Sequence, residues 1–206
     1  YIKVFEEERE LIIMLLVDVS GSETFGTQKQ SKQELITELC AVLAFSAIQN
    51  NDKTGVIFFS DKIEKFIPPK KGKTHILRII RELLDFTPEH TGTDISFALR
   101  YLTNVIKKRS IAFIISDFID EKFLTENKNG NDALRIANKK HDIVALKIFD
   151  KREYELPEAG LLRIKDAETG LLKWIDTSDQ KIRKHYFDFA KKREMKLKNI
   201  FSKSGV

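Results

Sequence analysis

Residues 11–22 read LIIMLLVDVSGS, and the fold turns on how this stretch is interpreted. Residues 11–17 are an unbroken apolar run of strand length, the pattern of a strand buried on both faces of a parallel sheet. The composition then changes at once to Asp18, Ser20, Gly21 and Ser22. A carboxylate and two hydroxyls therefore occupy the loop at the carboxyl end of a predicted central strand, where open α/β sheets bind ligands. The spacing Asp-x-Ser-x-Ser aims three oxygen groups from one tight turn at a common point. Oxygen donors with a single negative charge among them suit a hard divalent cation, Mg²⁺ above all, with Mn²⁺ or Ca²⁺ as other candidates.

The flanking sequence builds a sheet around that strand. A helix is expected over residues 29–49, where Leu35, Ile36, Leu39, Val42, Leu43 and Ser46 keep spacings of three and four. Residues 54–59 (TGVIFF) form a second buried strand, and residues 62–67 (KIEKFI) alternate as a third, antiparallel to it across a short hairpin. Pro68 and Pro69 begin a loop to Gly72, and Thr74 is a candidate N-cap for a helix over 75–84. After a polar loop, TPEHTG at 87–92, Thr93 and Asp94 open a helix striped by Ile95, Ala98, Leu99, Leu102 and Ile106. Residues 110–115 (SIAFII) repeat the opening pattern, an apolar run ending in Ser116 and Asp117.

A short helix over 133–140, a core strand over 142–149 (DIVALKIF), a hairpin insertion at 161–175 and a last helix capped by Ser178 or Asp179 complete the order. Residues 1–5 alternate as an edge strand. This alternation of strands and helices predicts an α/β fold: a doubly wound, mostly parallel central sheet with one antiparallel edge strand and helices on both faces. A single domain over 1–206 is expected. A first residue of Tyr rather than Met suggests a piece of a longer chain.

Composition narrows the function classes. Apolar residues make up 42% and charged residues 33%, as in a water-soluble globular protein, and no apolar run approaches the about 20 residues that span a bilayer. No signal peptide is visible, and the single cysteine, Cys40, falls in an apolar helical pattern as a buried thiol. Both agree with a reducing, cytoplasmic setting. The net charge of +5 is spread among acids and bases, except for a basic last helix carrying Lys181, Arg183, Lys184, Lys191, Lys192, Arg193, Lys196 and Lys198. That cluster is taken as a solvated helix face rather than a nucleic-acid surface, with Tyr186, Phe187 and Phe189 as core contacts.

Three loops are expected on one rim of the sheet: residues 18–22, 90–94 and 116–120. A metal held by Ser20, Ser22 and Thr93, with Asp18 and Asp117 beside it, is chemically coherent. Hydroxyls are neutral ligands, so the ion keeps net positive charge and favours an external carboxylate as its last ligand. Singly, these residues have plainer roles. Ser and Thr at strand ends cap helices and close turns, and Asp94 and Asp120 suit a helix start and a turn. His90 could face the metal or solvent; His75, His141 and His185 form no ligand spacing.

The residues 18–22 (DVSGS), Thr93 within 91–99 (TGTDISFAL), and Asp117 within 115–118 (ISDF) resemble a von Willebrand factor type A (vWA) domain. In that family these three segments make the metal-ion-dependent adhesion site. The resemblance implies Asp18, Ser20, Ser22, Thr93 and Asp117 as the site. More narrowly, residues 4–10 (VFEEERE) and 114–118 (IISDF) are similar to the bacterial domain-of-unknown-function family numbered 58. That resemblance implies a partnership with a MoxR-type AAA+ ATPase or its client. Glu23 departs from the family pattern, where an apolar residue is frequent, and adds a carboxylate that could weaken partner recruitment or serve as an internal ligand.

Two further classes are weighed against this non-enzymatic binding module. A strand-end Asp18 also suits a Mg²⁺-dependent phosphoryl-transfer or hydrolase domain with Asp18 as nucleophile, although the second acid two residues on is replaced by Ser20. A nucleic-acid-binding domain using the last helix ranks below both. Phosphate-binding glycine loops and the Gly-x-Ser-x-Gly elbow are absent from the sequence.

Overall fold

A computed structural model of the chain describes residues 10–21, 32–125, 128–165 and 172–206. Seven strands appear among these residues: β1 (Ile12–Asp18), β2 (Lys53–Phe59), β3 (Ile63–Lys70), β4 (Ile111–Ser116), β5 (Asp142–Lys147), β6 (Leu161–Lys165) and β7 (Leu172–Asp176). The helices are α1 (Lys32–Gln49), α2 (Lys73–Asp85), α3 (Ile95–Val105), α4 (Glu121–Leu124), α5 (Lys128–Lys140) and α6 (Gln180–Ser204). The first five strands form one sheet in the order β3-β2-β1-β4-β5. β1 pairs in parallel with both β2 and β4, β5 is parallel to β4, and β3 is the antiparallel edge. The expected architecture is therefore present, with the apolar run of residues 11–17 at its centre. β6 and β7 form a separate antiparallel ribbon where the hairpin insertion was expected.

Strand periodicity sorts the core into two layers. Leu15, Val17, Val56, Phe58 and Ile115 pack beneath α1 and α2 with Ile36, Cys40, Ala44, Ile76 and Ile79. Met14, Leu16, Ile57, Phe59 and Ile114 face α3, α5 and α6, against Ala98, Leu99, Leu134 and Leu197. Each fully buried side chain of this size contributes roughly 1.5–3 kcal/mol, so the strand carrying four of them consecutively, Met14 to Val17, is a rigid base for the loop that follows.

Several expectations are corrected. Pro68 and Pro69 do not begin a loop; β3 continues through them to Lys70. An edge strand tolerates prolines because one row of its backbone groups has no ladder partner, and here the register shifts between the Thr54–Lys70 and Val56–Ile67 pairs. Gly55 lies at that irregularity: a Cβ there would sit 2.9 Å from Ile67 O, Pro69 N and Met14 Sδ. Thr74 is not an N-cap, since α2 starts at Lys73, two residues before the expected start, behind Gly72, whose φ of 102° suits glycine.

α1 is rotated from the expected stripe. It buries Lys32, Ile36, Thr37, Cys40, Ala44 and Ala47, while Leu35 and Val42 are exposed. Small residues on the inner face let the helix lie close to the sheet, and its apolar residues are too evenly spread to fix the rotation by pattern alone. α4 was not anticipated, and α5 begins five residues before the predicted start. In α6 the buried residues are Ala190, Leu197 and Ile200, whereas Phe187 and Phe189 are 40% and 58% exposed and are not core contacts. Asp179 caps α6, accepting from Lys181 N–H at 2.7 Å, and Gly205 closes it in the left-handed conformation. The edge strand expected over residues 1–5, and Ser22 and Glu23, lie outside the described residues.

Candidate functional site

β1 and β4 are adjacent parallel strands, but β1 connects through α1 to β2 on its other side. The carboxyl ends of β1 and β4 thus flank the point where the sheet order reverses, the crevice in which such sheets bind ligands. Asp18 ends β1 there with 1% exposure. Its Oδ1 accepts the Ser20 backbone N–H at 3.0 Å, and its Oδ2 accepts the Ser116 hydroxyl at 2.5 Å. Burial, and then the negative charge of Asp117, push the Asp18 carboxyl up to about 7, against the opposing pull of the Ser116 and Ser20 hydrogen bonds. Ser20 is completely buried beside it.

The β4 loop is equally constrained. Asp117 is buried; its Oδ1 accepts from Ile119 N–H at 2.9 Å and its Oδ2 from Lys32 Nζ at 3.0 Å. Phe118 takes φ of 58°, a left-handed conformation rare for an aromatic residue. The turn is held by Phe118 N–H donating to Ser116 Oγ at 3.0 Å, and by the Phe118 ring packing edge-on against Phe201. Such strain persists only where the surroundings over-determine it.

The middle loop is tied to both of the others. Gly21 N–H donates to Thr91 O at 3.0 Å, and Asp94 N–H to Ser60 O at 2.9 Å. Asp120 receives Ile95 N–H on one oxygen and Phe123 N–H on the other, each at 3.0 Å, so one side chain joins the starts of α3 and α4. Asp94 caps α3 by accepting from Phe97 N–H at 2.7 Å. These are the helix-start and turn roles expected for Asp94 and Asp120. Thr93 is thereby left with no cap to make. It is 7% exposed, and its Oγ1 is buried with no hydrogen-bond partner among the described residues. The loops bearing Asp18, Ser20, Thr93 and Asp117 thus share one rim, while Ser22 is outside the described residues. His90 is half-exposed beside Asp61 and Lys62.

Three neighbours of the site escaped the sequence reading. In sequence Ser116 has the look of a plain strand end. Lys32, 5% exposed, pairs with Asp117 and also with Glu153. Glu153 sits in the 3-10 turn after β5, its carboxyl raised by burial against the lowering effect of Lys32. The structure, not the pattern, supplies the signal: with the rotation of α1 fixed by the sheet, Lys32, Ile36, Cys40, Ala44 and Ala47 lie on one helical face, and a lysine on a core face needs a buried acid.

Hydroxyls beside a carboxylate are donors of the kind a hard divalent cation would take. Among the described residues no group of three or more His, Cys, Asp or Glu could hold a metal, so a cation here would rely on hydroxyls beside Asp18. Thr93 Oγ1, a buried hydroxyl with no described partner, is the donor such an ion would satisfy. Beside Asp18 and Ser20 a cavity of about 320 Å³ opens between α1 and α2, with Ile36, Phe58, Leu83 and Phe86 among its lining.

The sheet order, the antiparallel edge and the rim loops define a vWA-like α/β domain. Its fold matches the solved structure of an aerotolerance-related membrane protein from Bacteroides fragilis, with a TM-score of 0.60 at 16% identity, covering 92% of this chain and 99% of that one. BatB from Bacteroides thetaiotaomicron matches with a TM-score of 0.53 at 15% identity, covering 95% and 98%. The chain belongs to the DUF58 family, described as a protein of unknown function, whose model matches residues 1–196. Among curated relatives, the uncharacterized protein Rv1480 of Mycobacterium tuberculosis is 27% identical over 168 residues, 81% of this chain and 51% of that protein. The chain therefore spans about half the length of that relative. No described helix is long and apolar enough to cross a membrane.

Proposed function

We propose that the domain is a non-enzymatic, divalent-metal-dependent protein-binding module acting in the cytoplasm. Asp18, Ser20, Ser22, Thr93 and Asp117 would hold the ion, directly or through water, with Mg²⁺ preferred over Mn²⁺ or Ca²⁺. The observation that carries this reading is the buried hydroxyl of Thr93, which has no described partner, on the rim that holds the buried carboxylates of Asp18 and Asp117. Lys32 strengthens the case for recognition over catalysis. It already offsets the charge of Asp117, so an ion beside Asp18 retains positive charge and attracts a partner's carboxylate. The adjoining apolar cavity would take a hydrophobic side chain next to that carboxylate. Given the family resemblance, the partner is a MoxR-type AAA+ ATPase or its client.

Calorimetric titration of Mg²⁺ into wild type and Asp18→Ala tests the metal. Binding to wild type alone supports the reading; equal heats, or none in either, remove it. Capture of the ATPase by wild type in Mg²⁺ but not in EDTA tests the partner. A trappable aspartyl-phosphate on Asp18 would move the domain to the phosphoryl-transfer class instead.

A further inference from the structure

A second recess lies between α4 and α6. It measures about 390 Å³, with Ile119, Leu124 and Phe189 supplying apolar surface and Lys192, Arg193 and Lys196 the basic side. Residues 189, 192, 193 and 196 recur at helical spacing, so one face of α6 presents an aromatic ring followed by three cations. Phe189 is 58% exposed, on a helix whose buried residues are Ala190, Leu197 and Ile200.

None of the three cations makes an ion pair with a described residue, whereas Lys198 on the same helix pairs with Glu194 at 3.1 Å. Of the two acids lining the recess, Asp120 is buried and committed to the N–H groups of Ile95 and Phe123. Among the described residues lining the recess, Glu121 is the acid left exposed against three positive charges. An apolar floor with an excess of cations around it is complementary to a segment that alternates apolar and acidic side chains.

We infer that the α4–α6 groove docks an acidic, amphipathic segment of a partner protein, an apolar side chain resting on Phe189 and Leu124 while its carboxylates face Lys192, Arg193 and Lys196. A peptide fits better than a bilayer, because a recessed floor is open to a single side chain and closed to a flat lipid surface. It fits better than nucleic acid because one aromatic ring is no stacking platform. This surface does not depend on the metal proposed at Asp18.

The test uses a fluorescein-labelled peptide with Leu at every fourth position and Glu between, titrated into the chain and read by anisotropy. Saturable binding is expected, weakened at least about tenfold by the double variant Lys192→Glu/Lys196→Glu and by Phe189→Ser, at unchanged melting temperature. Replacing the peptide's Glu by Gln should abolish it, and Asp18→Ala should leave it intact. The inference is overturned by absence of saturable binding, by equal affinity for the Gln peptide, or by variants that bind like wild type. Capture by phosphatidylserine vesicles without peptide binding would overturn it in favour of a membrane surface.

Discussion

The Ser116 hydroxyl donates to Oδ2 of Asp18 at 2.5 Å, joining the ends of two neighbouring parallel strands across 98 positions of sequence. The same Ser116 oxygen accepts the N–H of Phe118, so one hydroxyl both restrains a buried carboxylate and closes the strained turn after β4. Ser116→Ala should destabilise the fold by about 1–3 kcal/mol, the cost of leaving a buried acceptor and a buried donor unsatisfied. Urea denaturation measures this.

The raised Asp18 carboxyl sets a pH dependence. Its folded value of about 7 exceeds the ordinary 3.8, so the folded state holds the proton more tightly than the unfolded state. The stabilising contribution is complete below the ordinary value and is lost as pH rises through the window to about 7. Asp18→Asn removes this loss. In metal-free buffer its stability relative to wild type should therefore grow from acid to neutral pH, as read from urea midpoints across that range.

Lys32 is the cation between the buried Asp117 and the partly buried Glu153. Lys32→Met should cost about 3–5 kcal/mol, because Asp117 and Glu153 both lose the cation they share. Adding Glu153→Gln to Lys32→Met should recover part of the loss. Thermal unfolding of the single and double variants checks both.

Gly55 provides a control remote from the rim. Gly55→Ala forces a methyl against the backbone of β3 and should destabilise by about 1–3 kcal/mol. Metal affinity measured below the transition should stay at the wild-type level.

The sheet was legible because its strands are written as continuous apolar runs, and such runs read the same wherever tertiary contacts place them. The strand-end positions of Asp18 and Asp117 were legible because polar groups follow those runs abruptly, and that of Thr93 because it lies between a polar loop and an apolar helical stripe. What pattern could not supply was helix rotation and partnership. α1 carries apolar residues around much of its circumference, so only the sheet decides that Cys40 and Ala44 face inward and Leu35 outward. Pairing of Lys32 with Asp117 spans 85 positions and has no local signature. Phe187 and Phe189 misled because aromatic residues beside a buried stripe look like core until the helix is seen to bury a different face.

Thr93→Val most directly tests whether the rim holds a divalent cation. The substitution keeps shape and removes a buried hydroxyl that bonds to no described residue, so the melting temperature without metal should stay level or rise. With Mg²⁺ titrated calorimetrically, affinity should fall at least about tenfold relative to wild type, the loss of an oxygen that holds the ion directly or through water. Wild type that binds no Mg²⁺, or a Thr93→Val variant that binds it as tightly as wild type, would contradict the account.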